Sequence, residues 1–199
     1  SKSNLTALVA EAKFSMRVTA FVVSVPAAIF VAFGREFYML WLPFKSADEI
    51  NLIYNLSMIT LVPIIFISYV FSLFNLDGAT NKLKRPAIAN TILGAGTTLA
   101  QIAVLKFTPY GIYGMTAVGA ALYSVRILGF DLINAALNLS LPLTTFYGVY
   151  FKNLAVFAAV CGLFFWLRNF VQISSWGEFA AYSAVLLAVG YAASLFLIF

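Results

Sequence analysis

The chain contains no histidine and a single cysteine, and its seven acidic residues face twelve lysines and arginines. Without histidine, an imidazole general base, a Ser-His triad and a His-ligated metal are excluded within the chain. Cys161, inside the apolar run 154–167, can form neither an internal disulfide nor a paired-cysteine site. The more consequential shortage is charge itself. Charged residues are 10% of the 199 and hydrophobic ones 63%, whereas soluble domains carry about 25% and about 45–50%. That balance excludes a soluble enzyme, a secreted disulfide scaffold, a disordered tail and a nucleic-acid-binding domain, and makes lipid the main solvent. The net charge of +5 fits basic loops beside anionic lipid better than a nucleic-acid footprint. No cofactor or metal is expected. The chain opens on Ser1 without an initiator Met and stops at Phe199 within an apolar run, so a piece of a longer chain is expected.

A membrane-crossing helix needs about 20 predominantly apolar residues. The stretches 18–34, 50–76, 86–105, 153–167 and 179–199 carry no charge and supply five spans. Between 107 and 151, the turn Pro109-Tyr110-Gly111 lets a helix start near Ile112. To cross, that helix must run through Arg126 and Asp131 to about Asn138, before the interruption Leu139-Ser140-Leu141-Pro142. A rival reading breaks the chain at Gly129 and makes 132–151 a seventh span. It ranks lower, because 127–130 is too apolar for a loop and Pro142 would sit mid-segment. The fold class expected is therefore all-α and integral to the membrane. It comprises an interfacial, amphipathic lead-in over 1–13 and a six-helix bundle over 14–199, with spans near 14–42, 50–75, 86–106, 112–138, 152–170 and 178–199.

Six spans place both termini on one side. Lysine and arginine number seven on the terminal side (Lys2, Lys13, Arg17, Lys82, Lys84, Arg85, Lys152) and four on the other (Arg35, Lys45, Lys106, Arg168). Positive loops stay inside, so both ends are expected to be cytoplasmic in a cell (inner or plasma) membrane. Trp41, Trp166 and Trp176 all fall near the opposite face, as interfacial aromatics do. Pro26 and Pro63 lie mid-span and read equally as simple bends or as hinges.

Few residues could carry chemistry. Arg126 falls about 21 Å along span four, near the bilayer midplane. There a charge costs at least about 2.5–3.5 kcal/mol and usually faces a bundle interior or a wet cavity. Asp131 lies about 140° round an α-helix from Arg126, so a direct ion pair between them is not expected. Asp131, Asn134 and Asn138 share a stripe, and each could be structural glue or line a cavity. Arg17 could snorkel to lipid phosphate or face a vestibule. Span three is small and polar (Asn90, Thr91, Gly94, Gly96, Thr97, Thr98, Gln101). Close helix packing explains this, or Asn90 and Gln101 present hydrogen bonds to a hydroxyl-rich ligand. Gly94-Ala95-Gly96 lacks the rest of a dinucleotide fingerprint. Asp77-Gly78-Ala79 begins like the metal motif of CDP-alcohol phosphotransferases but lacks the later aspartates, so Asp77 reads as a turn or helix cap.

Taken in order, the features have a pattern. Gly34-Arg35-Glu36-Phe37 leads to Leu40-Trp41-Leu42, a charge-free span follows, and then Leu76-Asp77-Gly78-Ala79-Thr80-Asn81-Lys82. After the small, polar third span, Pro109-Tyr110-Gly111-Ile112-Tyr113-Gly114-Met115-Thr116-Ala117 opens the fourth. This resembles the carboxy-terminal half of the oligosaccharide flippases in the multidrug/oligosaccharidyl-lipid/polysaccharide exporter superfamily, over essentially the whole chain. The resemblance implies one lobe of a two-lobe, MATE-like transporter worked by alternating access. It further implies export of lipid-linked O-antigen, capsule or related glycan, without enzymatic activity. Its implied partners are the bilayer, a polyprenyl-pyrophosphate-linked glycan and an amino-terminal six-helix lobe, with residues 1–13 as the linker between lobes. Arg126 and Arg17 would hold the pyrophosphate, with Asn90, Gln101 and Asn134 in the cavity, and Asp131 would serve proton or sodium coupling or hold Arg126 in place through a neighbour. Competing readings are a major-facilitator half, whose Gly-x-x-x-Asp-Arg-x-Gly-Arg loop is missing, a drug/cation antiporter, a peptidoglycan-precursor flippase, a membrane enzyme and a non-catalytic scaffold subunit.

Overall fold

A computed structural model describes residues 2–199, with the side chains of all but residues 2–4 and 79. The expected basic flank and lead-in thus lie partly outside the described residues, at Ser1 and the Lys2 side chain, as does the Ala79 side chain of the quoted loop. The described chain is helical, without strands: α1 (Lys2–Trp41), α2 (Ala47–Ala79), α3 (Lys84–Phe107), α4 (Gly111–Arg126), a π-helical segment (Ile127–Asp131), α5 (Leu132–Asn138), α6 (Tyr147–Arg168) and α7 (Trp176–Ile198). Because α4, the π segment and α5 run on without a break, six helices are long and apolar enough to cross a membrane. The rival break at Gly129 is absent, and that residue sits inside the π segment. The lead-in and the first span form one continuous helix, α1, 40 residues long in all. Large apolar side chains point outward, Phe107 and Phe196 more than four-fifths exposed, as befits helices with lipid as solvent.

The chain divides into two compact units, residues 1–19 with 59–150 and residues 20–58 with 151–199. In the second unit, the end of α1 meets the starts of α2 and α7 and the end of α6. Arg35 donates to Asn51 Oδ1 at 2.8 Å, Tyr38 and Ser57 share a hydrogen bond of 2.7 Å, and Arg168 pairs with Glu36. Phe37 packs edge-on to Trp176 at 5.8 Å. The opposite ends of α6 and α7 are tied by Lys152, which donates to the Ile198 carbonyl at 3.0 Å. These bonds give the alternating directions that successive crossings require. Pro26 leaves the Val22 carbonyl without its helical donor, and the Tyr191 hydroxyl on α7 donates to that carbonyl at 3.1 Å. The bend is thereby pinned, and Gly190 beside it lets α7 approach closely. A Cβ there would stand 2.6 Å from Val25 Cγ1 and 2.7 Å from Phe164 Cζ.

In the first unit, α3 has no buried residue. Its small residues do not mediate the close packing expected of them, because Gly94 and Gly96 face open space. The contact glycines are on α4 instead: a Cβ at Gly114 would meet Val104 Cγ1 at 2.8 Å, and one at Gly119 would meet Gln101 Nε2 at 2.6 Å. Helices α2 and α5 end alike. In α2, Asn81 takes a left-handed φ of 52°, with Asn81 N–H donating to the Gly78 carbonyl and Lys82 N–H to that of Asp77. In α5, Ser140 has φ 55°, with Ser140 N–H on Leu137 and Leu141 N–H on Ala136. Both are Schellman ends, which satisfy carbonyls that a helix terminus leaves open. Asparagine tolerates the left-handed conformation and serine less so.

Two stability changes follow. Gly190→Leu should lower the melting midpoint of the purified protein, with an overpacking cost of about 1–3 kcal/mol. Ser140→Gly should raise it, by up to about 1 kcal/mol, by relieving the left-handed residue. Thermal unfolding in detergent, followed by circular dichroism, checks both.

Candidate functional site

The site lies where α2, the π segment and α5 come together in the first unit. Asp77 is 6% exposed, and it belongs to the last turns of α2 rather than to a loop. The reading of Asp77 as a turn or cap residue is therefore corrected: α2 runs about a turn past the expected end at 75, to Ala79. Its Oδ1 accepts from Asn134 Nδ2 at 3.0 Å and from Asn138 Nδ2. The stripe read from spacing is real, but two of its three members serve an aspartate that spacing did not reveal. Lys82, just past α2, donates to the backbone carbonyl of Asn138 at 2.8 Å. A cation at a helix carboxy terminus both caps an open carbonyl and opposes the helix dipole.

Arg126 and Asp131 form an ion pair, Nη2 to Oδ1, at 3.3 Å, with side chains 11% and 3% exposed. This overturns the expectation that the two stand on different sides of the helix. That expectation assumed α-helical geometry throughout. In the π segment the repeat widens to i→i+5, shown by Leu132 N–H donating to the Ile127 carbonyl, and residues five apart come to the same side. The Tyr147 hydroxyl donates to the Leu128 carbonyl, giving the widened turn a hydrogen bond from the start of α6. The guanidinium also stands over the Tyr123 ring, 5.4 Å from its centroid, within cation–π range. Arg126 Nε and Asp131 Oδ2 are buried without a hydrogen-bond partner. Asn134, one turn beyond Asp131, holds Asp77, so two carboxylates and one guanidinium share this buried region.

Two hollows border the group. Arg126 lines one of about 410 Å³ between α3 and α4, otherwise walled by apolar side chains such as Ile92, Leu122 and Phe130. Gln101 lines another of about 400 Å³, with Thr60, Pro63, Thr116 and Tyr123, and donates to the Met115 carbonyl at 3.3 Å. Tyr123, which touches Arg126 and faces this second hollow, connects the two. Of the expected site residues, the structure joins Arg126, Asp131 and, through Asp77, Asn134. Gln101 stands next door. Asn90 is exposed on α3, outside both hollows. Arg17 is half-buried on α1, with its Nε buried and without a partner. Among the described residues, no three acidic or cysteine side chains gather as a metal site.

Chemically, the arrangement offers a largely buried cation, its Nε without a partner, held by one carboxylate. No family model, curated protein or solved structure matches the chain.

Asp77→Ala should strip the two asparagines of their shared acceptor. Leaving buried donors unpaired costs about 1–3 kcal/mol each, so the melting midpoint should fall. Asp77→Asn, which keeps an acceptor oxygen, should recover part of the loss; equal destabilisation by both would show that the shared acceptor is not what matters.

Proposed function

We propose that the chain is one six-helix lobe of an alternating-access exporter that carries lipid-linked oligosaccharide or polysaccharide units across the membrane, from the cytoplasmic to the outer leaflet. The observation that carries this reading is Arg126, a guanidinium inside a membrane-crossing helix and beside an open hollow, held by a single carboxylate. Intramembrane charges are costly and mark substrate or ion pathways by default. A planar guanidinium is suited to the paired oxygens of a phosphate or pyrophosphate. The order of sequence motifs supports the same family. Arg17, with its own unpartnered Nε, is the second cation for the substrate, Gln101 supplies hydrogen bonds to sugar hydroxyls, and Asn134 supports the site from behind through Asp77. Both termini of the segment face the cytoplasm in this reading, and a second lobe closes the cavity.

The ion pair suggests how transport and an ion gradient connect. While Asp131 is ionised it holds Arg126. When Asp131 takes a proton, or a sodium ion shields it, Arg126 is released to the phosphate. A cation antiporter of the same superfamily would use Asp77 and Asp131 directly, with no anionic substrate. A scaffold subunit would need the pair only for packing.

Arg126→Ala in the full-length exporter should abolish surface glycan while the protein still reaches the membrane. Because that change strands Asp131, the paired replacement Arg126→Met with Asp131→Leu is the companion test. Buried ion pairs often give way to apolar residues without loss of stability, so the double variant should insert normally and still fail to export. Normal surface glycan in the double variant would reduce the pair to a structural role and sink the assignment.

A further inference from the structure

At the membrane-interface end of α3 lies a pocket of about 400 Å³, bordering the site above through Lys82 and Asn138 and lined besides by Lys84, Arg85 and Leu137. Three of its five residues are cationic and none is acidic. Lys84 and Arg85 are exposed and take part in no ion pair found among the described residues. They are also the first two residues of α3, whose first turn contains no acid and whose cap, Leu83, offers no side-chain acceptor. Their backbone N–H groups therefore have no partner within the helix, and the positive end of the helix dipole adds to the two side chains. Lys82 is fixed at the rim by its bond to the Asn138 carbonyl, 2.8 Å long, so one cation is pre-positioned. This is an anion cradle.

What makes the anion part of a lipid is the surface that continues from it. About 6 Å along α3 from Arg85, at 1.5 Å per residue, Ala89 begins the groove between α3 and α4, the hollow that Arg126 also lines, whose other walls are apolar side chains such as Ile92, Leu93, Leu122 and Val125. Ile92 and Val125 are 68% and 65% exposed, open to the acyl region. A cationic cradle at the interface leading into an apolar groove has the shape of a phospholipid. Basic pockets between membrane helices take anionic headgroups. We infer that this pocket and groove together bind an anionic phospholipid of the surrounding bilayer, the headgroup phosphate on Lys82, Lys84 and Arg85 and an acyl chain along α3 and α4. The headgroup pocket is separate from Arg126 while the acyl groove is shared with it, and the test needs no transport.

The protein is placed in nanodiscs of mixed phosphatidylglycerol and phosphatidylcholine, released, and the retained lipid counted by native mass spectrometry. Wild type should retain phosphatidylglycerol preferentially. Each basic residue near a membrane surface is worth about a factor of five, so Lys84→Gln with Arg85→Gln should cut the preference roughly 30-fold. Ala89→Phe, which fills the groove, should lower retention with Lys84 and Arg85 intact. Lys106→Gln, which removes the cation in the last turn of α3, should change nothing. Unchanged preference in the Lys84/Arg85 variant would overturn the site, and an equal loss in Lys106→Gln would reduce it to diffuse charge. Displacement of the lipid by inorganic phosphate would make it a soluble-anion site instead.

Discussion

Lipid offers no hydrogen bonds, so each backbone polar group carried into it must find a partner within the protein. The irregular points of this chain are organised by that constraint. Where Pro26 frees the Val22 carbonyl, Tyr191 donates to it. Where the helix widens around Leu128, Tyr147 donates. Where α5 ends, Lys82 reaches the Asn138 carbonyl. In each case a side chain from another helix or loop reaches a backbone carbonyl, and each such bond also fixes the register of two segments against one another. Irregularity and tertiary structure are thus the same set of contacts.

Asp77 shows the constraint at its strongest. A carboxylate near the end of a membrane helix would ordinarily turn outward to water, yet it points inward and takes two amide donors from α5. Both helices end there in left-handed turns, so two negative dipole ends and a carboxylate lie close together. Lys82 and the two asparagine amides are the favourable charge and dipoles that offset this concentration. The same segment that closes α2 therefore also places the basic residues Lys82, Lys84 and Arg85, which explains why a buried acid and an exposed cationic pocket are neighbours.

Most of the architecture was legible in the sequence, because charge gaps set the span count and the helices follow the gaps closely. The limits lay where a local rule changed. The end of α2 was read four residues short because Asp77-Gly78 looks like a turn, and nothing in the sequence says that two asparagines more than fifty residues later will hold that aspartate inside the fold. Arg126 and Asp131 were correctly singled out as charges inside a span, but their mutual geometry was read from an α-helical period. Gly129 was the available signal. It marked a weak point, and the weak point became a widened turn rather than a break. The polarity of α3 was overread as a packing face. Thr91 and Thr98 instead bond back to their own helix, to the carbonyls of Ala87 and Gly94, which lets hydroxyls face an apolar surrounding.

The widened turn and the ion pair depend on each other. In an uninterrupted α-helix the two side chains would stand about 140° apart, so the pair exists only while the π segment does. Conversely, a π segment has poorer helical geometry and persists where something outside the backbone favours it, here the Arg126–Asp131 attraction and the Tyr147 hydroxyl. The arrangement needs no flexible hinge to be specific. It places a charge pair across a turn whose width decides whether the pair can form, and the same turn sets the register of α5, from which Asn134 and Asn138 hold Asp77 on α2.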